Sequence, residues 1–219
     1  MNFDKIKDFT AKKMGNAGGH GFDHALRVFN MAVTMTKTEH ADAEIVGLAA
    51  LLHDVDDYKL GGTDECKNAH EIMDACEIPA ETQVRVFEIL KTMGYSKSLE
   101  GIRPETIEGK IVSDADMIDA MGAHGIVRTI EYGSTHGRGF FDPNIPPRTD
   151  ISRKTYVEYT DSSITHIFEK LLKLRGLMLT RTGARLAKPR HRAMVKFLQN
   201  YFTEENATEW LDHLKNIKH

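Results

Sequence analysis

The sequence predicts an all-α protein, and three observations support that fold class. Nearly every segment repeats apolar residues at three- and four-residue intervals, which places them on one face of a helix. No segment of useful length alternates apolar and polar residues as a half-buried strand does. The 219 residues, of which 41% are hydrophobic, suffice for one substantial core, and we find no repeat or linker. We therefore predict a single domain over residues 1–219.

The first three helices lead to the most informative stretch of the chain. A helix is predicted over residues 3–14, a second from about Phe22, and a third that begins at Ala43 and carries an apolar run through Leu52, before a turn at Gly61-Gly62. In the second helix the apolar stripe is expected at Leu26, Phe29, Val33 and Thr36. The third helix is almost continuously apolar, so we expect it to be buried at the centre of the domain.

The rest of the chain also has helical periodicity, except for one stretch. Helices are predicted over residues 64–76 and 81–93, from Pro104 through Met121, from Gly122 to Tyr132, and over 155–178, 182–202 and 205–217. Residues 133–152 form a long irregular loop rich in Gly and Pro. An irregular loop of this length inside a compact domain is usually functional or mobile. Its cationic and aromatic side chains could close over a bound small molecule or pack against a partner subunit, and the sequence leaves both interpretations open.

Composition narrows the class of protein. The formal net charge of −3 gives no reason to expect nucleic-acid binding. Cys66 and Cys76 are the only cysteines, and their spacing fits neither a zinc knuckle nor a disulfide framework. No signal peptide or membrane-spanning run is expected, so the predicted location is the cytoplasm.

Ionisable residues follow the buried third helix directly. His53, Asp54, Asp56 and Asp57 come immediately after its apolar run. Such groups are costly to bury unless something compensates them, and a divalent metal ion compensates a histidine and a carboxylate together. His24 on the preceding helix could face them. Asp114, Asp116 and Asp119 on a later helix offer further carboxylates, although helical periodicity does not choose between Asp114 and Asp116.

These residues carry a resemblance to the HD superfamily of metal-dependent phosphohydrolases. The matching segments are His24 to Val28, His53-Asp54 and Asp114-Ala115-Asp116, followed by Gly125 to Arg128, Glu169 to Leu172 and Arg190-His191. The sequence is most similar to the small bacterial and archaeal HD nucleotide pyrophosphohydrolases. The resemblance implies an HD-type helical bundle with a metal-binding core at about 20–132. Helices over 155–217 are expected to complete the cleft.

The resemblance also implies the metal ligands, which are His24, His53, Asp54 and Asp116. Two nitrogens and two carboxylates suit Mn²⁺ first, with Fe²⁺, Co²⁺, Ni²⁺ or Zn²⁺ as alternatives. HD relatives with two iron ions place two more histidines before the last aspartate, and this chain has only His70 in that interval. We therefore predict a single metal ion rather than a di-iron oxygenase.

The remaining predicted site residues are expected to bind the phosphates of the substrate and to accept a proton during hydrolysis. Asp57 follows Asp54 by three residues and is the predicted catalytic base, if helical geometry continues that far. Lys59, Arg128 and Lys170 are the predicted substrate-binding cations, because phosphoryl transfer needs fixed positive charge near the leaving group.

The predicted reaction converts a nucleoside triphosphate to a monophosphate and pyrophosphate. One alternative is a nucleoside 5′-monophosphate phosphatase that uses the same site. Another is a nucleotide-sensing module without turnover, which the intact acidic residue at position 57 disfavours. A nucleotide is thus the expected small-molecule partner, neither nucleic acid nor membrane is expected, and a homodimer is compatible with the sequence.

Overall fold

The all-α prediction is confirmed. A computed structural model describes residues 1–14, 21–56, 66–148, 152 and 162–217. Within those ranges every regular element is helical, and the only β feature is an isolated bridge between Gly139 and Ser162. None of the described helices is both long enough and apolar enough to cross a membrane. The chain divides into two compact units, Met1–Asp116 and Met117–His219.

The first unit is built around one buried helix. Its helices are α1 (Phe3–Met14), α2 (Phe22–Glu39), α3 (Ala43–Leu52), α4 (Lys67–Ala75), α5 (Ala80–Thr92), α6 (Tyr95–Ser98) and most of α7 (Ile107–Asp119). Every residue of α3 from Ile45 to Leu52 is buried, and α1, α2 and α5 pack against it. The Asp42 carboxylate caps α3 by accepting hydrogen bonds from the backbone of Glu44 and Ile45. The apolar run therefore forms the centre of this unit, as predicted.

Close packing on α3 requires a small residue at position 47. A Cβ atom on Gly47 would lie 2.5 Å from the Phe3 ring, which itself meets the Phe29 ring edge to face at 5.1 Å. Phe3 and Phe29 therefore connect α1 and α2 across the surface of α3.

The buried face of α2 differs from the predicted stripe. Phe29 and Thr36 are buried as expected, whereas Leu26 and Val33 are partly exposed. The other buried residues of the helix are His24, Ala25, Val28, Ala32 and Met35. The stripe is rotated because small residues, Ala25 and Ala32, make the close contacts, and this rotation turns His24 inward.

Helix α7 begins three residues later than predicted. Residues 102–105 are not helical, and α7 starts at Ile107 instead of Pro104. The Thr106 hydroxyl accepts a hydrogen bond from the Gly109 backbone at 3.2 Å, which satisfies a first-turn donor. Capping by Thr106 therefore sets the start of the helix. Its end agrees with the predicted break, since α8 begins at Gly122.

The second unit contains the C-terminal helices. They are α8 (Gly122–Thr135), α9 (Ser163–Glu169), a 3₁₀ helix (Leu171–Leu177), α10 (Arg181–Glu204) and α11 (Thr208–Asn216). Helix α10 contacts α8, the 3₁₀ helix and α11. An aromatic cluster of Phe168, Phe202 and Trp210 fills the core, with ring centroids 5.3–5.9 Å apart.

The long loop starts at position 136, because α8 continues to Thr135. Its described part, residues 136–148, is tied to the helices of the second unit. The Phe141 ring packs edge to face on Trp210 at 5.0 Å, and the Trp210 indole donates to the Pro143 carbonyl at 3.2 Å. Phe140 packs on Tyr201 in the same way. Both phenylalanines of the predicted loop therefore already have aromatic partners.

Candidate metal centre

Four side chains of the first unit converge at one point. His24 lies in the first turn of α2, and His53 and Asp54 follow the last residue of α3. Asp116 lies on α7. The two histidine side chains are each 2% exposed, and those of Asp54 and Asp116 are 15% and 25% exposed. The structure thus brings together all four predicted ligands at the edge of the buried core.

His24, His53 and Asp54 offer ligand atoms that all lie within 4.8 Å of one another, and Asp116 approaches the two histidines. The two Nε2 atoms lie 3.1 Å apart, and each is 3.4 Å from Asp54 Oδ2. Asp116 Oδ1 lies 3.4 Å from His24 Nε2 and 3.7 Å from His53 Nε2. Ligands about 2.1 Å from a metal are ~3.0 Å apart in octahedral geometry and ~3.4 Å apart in tetrahedral geometry. The observed spacings span these values, so the donor set fits a divalent transition metal.

The backbone holds His53 in the tautomer that a ligand needs. Its Nδ1 atom lies 2.9 Å from the Ala50 carbonyl oxygen, which can only accept a hydrogen bond. The ring proton therefore resides on Nδ1. A neutral His53 then has a free lone pair on Nε2, the atom that faces His24, Asp54 and Asp116.

Electrostatics keep Asp116 ionised. Burial alone would raise the pKa of its carboxyl group, and the charge of Asp54 acts in the same direction. The hydrogen bond from His24 and the positive charge available on both imidazoles outweigh these effects, so the pKa of Asp116 lies below its ordinary value. An ionised carboxylate is the form that binds a metal ion.

The other two carboxylates of α7 lie in different surroundings. Asp114 is completely buried. Asp119 is also buried and pairs with Arg128 of α8, whose guanidinium nitrogen is 3.8 Å from Asp119 Oδ2. Asp116 lies on the same helix, and both histidines form ion pairs with it. The geometry thus favours Asp116 as the ligand on this helix.

Asp57 and Lys59 lie outside the described residues. Helix α3 ends at Leu52, and residues 53–56 form turns. The expectation that Asp54 and Asp57 share a helix face therefore loses its geometric basis. Apolar periodicity alone did not predict where this helix ends.

Asp56 is a helix-capping residue, a role that the sequence left open for it. Its carboxylate accepts hydrogen bonds from the backbone of Asn68 at 2.8 Å and Ala69 at 2.9 Å. These donors belong to the first turn of α4, whose N-cap residue Cys66 makes no side-chain cap. The Asn68 side chain also donates to the Val55 carbonyl at 3.1 Å. Asp56 therefore caps α4 from outside that helix. The contact holds residue 56 next to the first turn of α4.

The predicted substrate cations Arg128 and Lys170 both belong to the second unit. Arg128 has a side chain that is 16% exposed and is held by Asp119, as described above. Lys170 ends α9, and its backbone N–H donates to the His166 carbonyl at 3.0 Å.

Arg148 in the long loop forms a stronger ion pair than Arg128 does. Its Nε and terminal nitrogens reach the two oxygens of buried Glu169 at 2.9 and 2.6 Å. Its backbone N–H also donates to Glu169, at 2.9 Å. A fork-to-fork pair of this kind fixes geometry as well as charge. Arg148 therefore anchors the loop, and no local spacing in the sequence pairs it with a residue 21 positions away.

Comparison with known proteins agrees with this site. The model of the HD domain family matches residues 21–121, a range that includes all four converging side chains. The chain is 33% identical over 187 residues to the uncharacterized protein YpgQ of Bacillus subtilis strain 168, covering 84% of this chain and 83% of YpgQ.

Solved structures extend the similarity to nearly the whole chain. A Lactobacillus plantarum protein has a TM-score of 0.84 and 32% identity, over 94% of this chain and 98% of its own. An HD-superfamily hydrolase of Bacillus thuringiensis has a TM-score of 0.72 and 34% identity, over 94% and 100%. YpgQ in complex with ADP has a TM-score of 0.71 and 29% identity, over 92% and 96%.

The HD domain match, the similarity to an HD-superfamily hydrolase and the cluster of His24, His53 and Asp54 together identify a metal-dependent phosphohydrolase. The chain belongs to the HD domain family.

Proposed function

We propose that this phosphohydrolase cleaves a nucleoside triphosphate to a monophosphate and pyrophosphate. The observation that carries the proposal is the convergence of His24, His53, Asp54 and Asp116. The five distances given above between their nitrogen and oxygen atoms are 3.1–3.7 Å. A nucleotide as the substrate class is supported by YpgQ, a relative whose structure was solved in complex with ADP.

The four converging side chains would hold the metal ion. Their mixed nitrogen and oxygen set suits Mn²⁺, Fe²⁺, Co²⁺ or Ni²⁺ better than Mg²⁺, which prefers an oxygen shell, and we propose Mn²⁺ as the ion used. When bound, a divalent ion lowers the pKa of a coordinated water and neutralises charge on phosphoryl oxygens. The Ala50 carbonyl contributes by fixing the His53 tautomer, as its 2.9 Å contact indicates.

Asp57 is the proposed proton acceptor for the attacking water. It directly follows Asp56 in the sequence and comes three residues after Asp54. Asp56 itself is already engaged by two backbone donors and is not available as the base. A positioned carboxylate that takes the proton typically accelerates such a step by about 10²–10⁴-fold.

Lys59, Arg128 and Lys170 are the proposed phosphate-binding cations. Negative charge accumulates on the leaving pyrophosphate, and cations near its oxygens stabilise that charge. The contact of Arg128 with Asp119 at 3.8 Å is longer than a hydrogen bond. It restrains the position of the guanidinium within the second unit.

Product analysis tests the proposal. The Mn²⁺-loaded full-length chain is incubated with nucleoside mono-, di- and triphosphates, and pyrophosphate and orthophosphate are measured separately. We expect pyrophosphate from triphosphates. The matched control is His53→Ala, which removes a proposed metal ligand. Any hydrolysis that remains in this variant measures contaminating phosphatase activity.

Orthophosphate from monophosphates, with no pyrophosphate from triphosphates, would replace the proposal with a 5′-monophosphate phosphatase. Nucleotide binding without any product would leave only a binding module at this site.

A further inference from the structure

Positive charge is concentrated in one part of this chain. Between Glu169 and Glu204 the sequence contains nine Lys and Arg residues and no Asp or Glu, although the whole chain has a formal net charge of −3. Net charge alone led us to expect no nucleic-acid binding. That expectation does not take into account where the charges lie.

Five of these cations lie on one face of α10. Arg181, Arg185, Lys188, Arg192 and Lys196 follow one another at intervals of three or four residues, and we call them the basic stripe. At 100° per residue they fall within a sector of about 80°, and at 1.5 Å per residue they extend over about 22 Å.

The basic stripe faces solvent. All five of its residues are exposed, while Ala187, Met194 and Leu198 on the opposite side of α10 are buried. Arg190, a sixth cation of the helix, also points away from the stripe, because its guanidinium donates to the Ile118 carbonyl at 2.6 Å. The stripe residues are therefore distinct from the cations that hold α10 in the unit.

Local structure does not explain the basic stripe. None of its five residues forms an ion pair with another described residue. Like charges four residues apart destabilise a helix. Arg181 also lies in the first turn of α10, where the helix dipole is already positive and no acidic residue is present. The arrangement opposes helix formation and concentrates positive charge along one exposed face of α10.

We propose that the basic stripe binds the phosphate backbone of a nucleic-acid duplex. A duplex presents closely and regularly spaced phosphates along its length, and successive stripe cations are about 4.5–6 Å apart along the helix axis. Three of the five are arginines, which bind phosphate through two parallel hydrogen bonds. The exposed residues between them, Ala184, Pro189 and Ala193, are small enough to let a backbone approach.

Other anionic partners fit the stripe less well. None of the large apolar residues that are exposed in the described ranges lies on α10. A helix that lies in a membrane interface inserts an apolar face, and a stable protein–protein interface needs a largely apolar centre. The basic stripe offers neither, so it fits an elongated polyanion.

Fluorescence anisotropy with a labelled duplex of about 20 base pairs tests this inference on the full-length chain. Each phosphate contact adds about −0.9 to the slope of log K against log salt, so five contacts predict a slope of about −4.5. The double variant Arg185→Glu/Arg192→Glu should bind at least about tenfold more weakly, and its slope should be shallower by about 2.

The matched control is Lys37→Glu/Lys91→Glu, which changes net charge equally at exposed positions on α2 and α5. This control should keep the affinity for duplex, and both variants should keep nucleotide hydrolysis. Equal losses in the two variants, or no duplex binding at low salt, would overturn the inference. So would equally tight binding of phosphatidylserine vesicles or of poly-glutamate at the same salt concentration.

Discussion

His53 uses its two ring nitrogens for different purposes. Nδ1 donates to the Ala50 carbonyl one turn earlier in α3, and Nε2 faces the other converging side chains. A buried apolar helix that ends in a histidine can therefore orient that histidine with its own backbone. The sequence predicted that His53 and Asp54 come together with His24 and Asp116. It could not predict the tautomer, because that depends on the position of a carbonyl group.

The choice between the two carboxylates of α7 gives a prediction. Asp116→Ala should abolish Mn²⁺ binding, because its carboxylate pairs with both histidines at 3.4 and 3.7 Å. Asp114→Asn keeps the shape of a completely buried side chain and should retain most Mn²⁺ binding. Isothermal titration of the two metal-free variants measures the difference. Mn²⁺ binding by the Asp116 variant, together with its loss in the Asp114 variant, would reverse the assignment.

The catalytic role proposed for Asp57 gives a second prediction at this scale. Asn has nearly the same shape as Asp but cannot accept a proton at neutral pH. Asp57→Asn should therefore keep metal content and lower kcat by about 10²–10⁴-fold. KM should stay the same or fall slightly, because a negative charge near the phosphates is removed. Near-normal kcat at full metal occupancy would show that another group accepts the proton.

The helices themselves were largely predictable from the sequence, but their ends were not. Apolar periodicity located α1 and α5 to within about one residue of the predicted bounds, and it located the start of α3 at Ala43. The start of α7 was missed because it depends on the Thr106 cap rather than on Pro104. Ends that depend on one side chain in a particular rotamer cannot be read from periodicity.

Asp56 is an example of one side chain that determines where a helix begins. Its carboxylate caps α4 from outside that helix, at 2.8 and 2.9 Å from two backbone nitrogens. Asp56→Ala should therefore lower the free energy of unfolding of the metal-free protein by about 0.5–2 kcal/mol. Asp56→Asn, which retains one accepting oxygen, should fall between the wild type and Asp56→Ala. Urea denaturation followed by circular dichroism measures both.

The matched control for Asp56 is Asp8→Ala. Asp8 is an exposed carboxylate on α1 that forms no described hydrogen bond or ion pair. Its removal should change the free energy of unfolding by less than about 0.5 kcal/mol. An Asp56→Ala variant as stable as Asp8→Ala would show that the cap contributes nothing to the start of α4.

At the scale of the whole chain, the family could be predicted from a few residues, because ligands to one ion must meet in space. His24, His53, Asp54 and Asp116 belong to three helical segments, and the metal-ligand types and family motif were sufficient to group them. The ion pairs within the second unit could not be predicted in this way. The Arg148–Glu169 and Arg128–Asp119 pairs depend on tertiary packing, which no local pattern records.

Metal stoichiometry measured together with hydrolysis tests the metal centre most directly. Full-length protein is stripped with EDTA, reconstituted with Mn²⁺, and analysed by inductively coupled plasma mass spectrometry and by release of pyrophosphate from a nucleoside triphosphate. We expect about one ion per chain, with hydrolysis lost on stripping and restored in proportion to the metal bound. Two ions per chain at full occupancy would contradict a single centre built from His24, His53, Asp54 and Asp116. Hydrolysis that continues without bound metal would contradict the proposed chemistry itself.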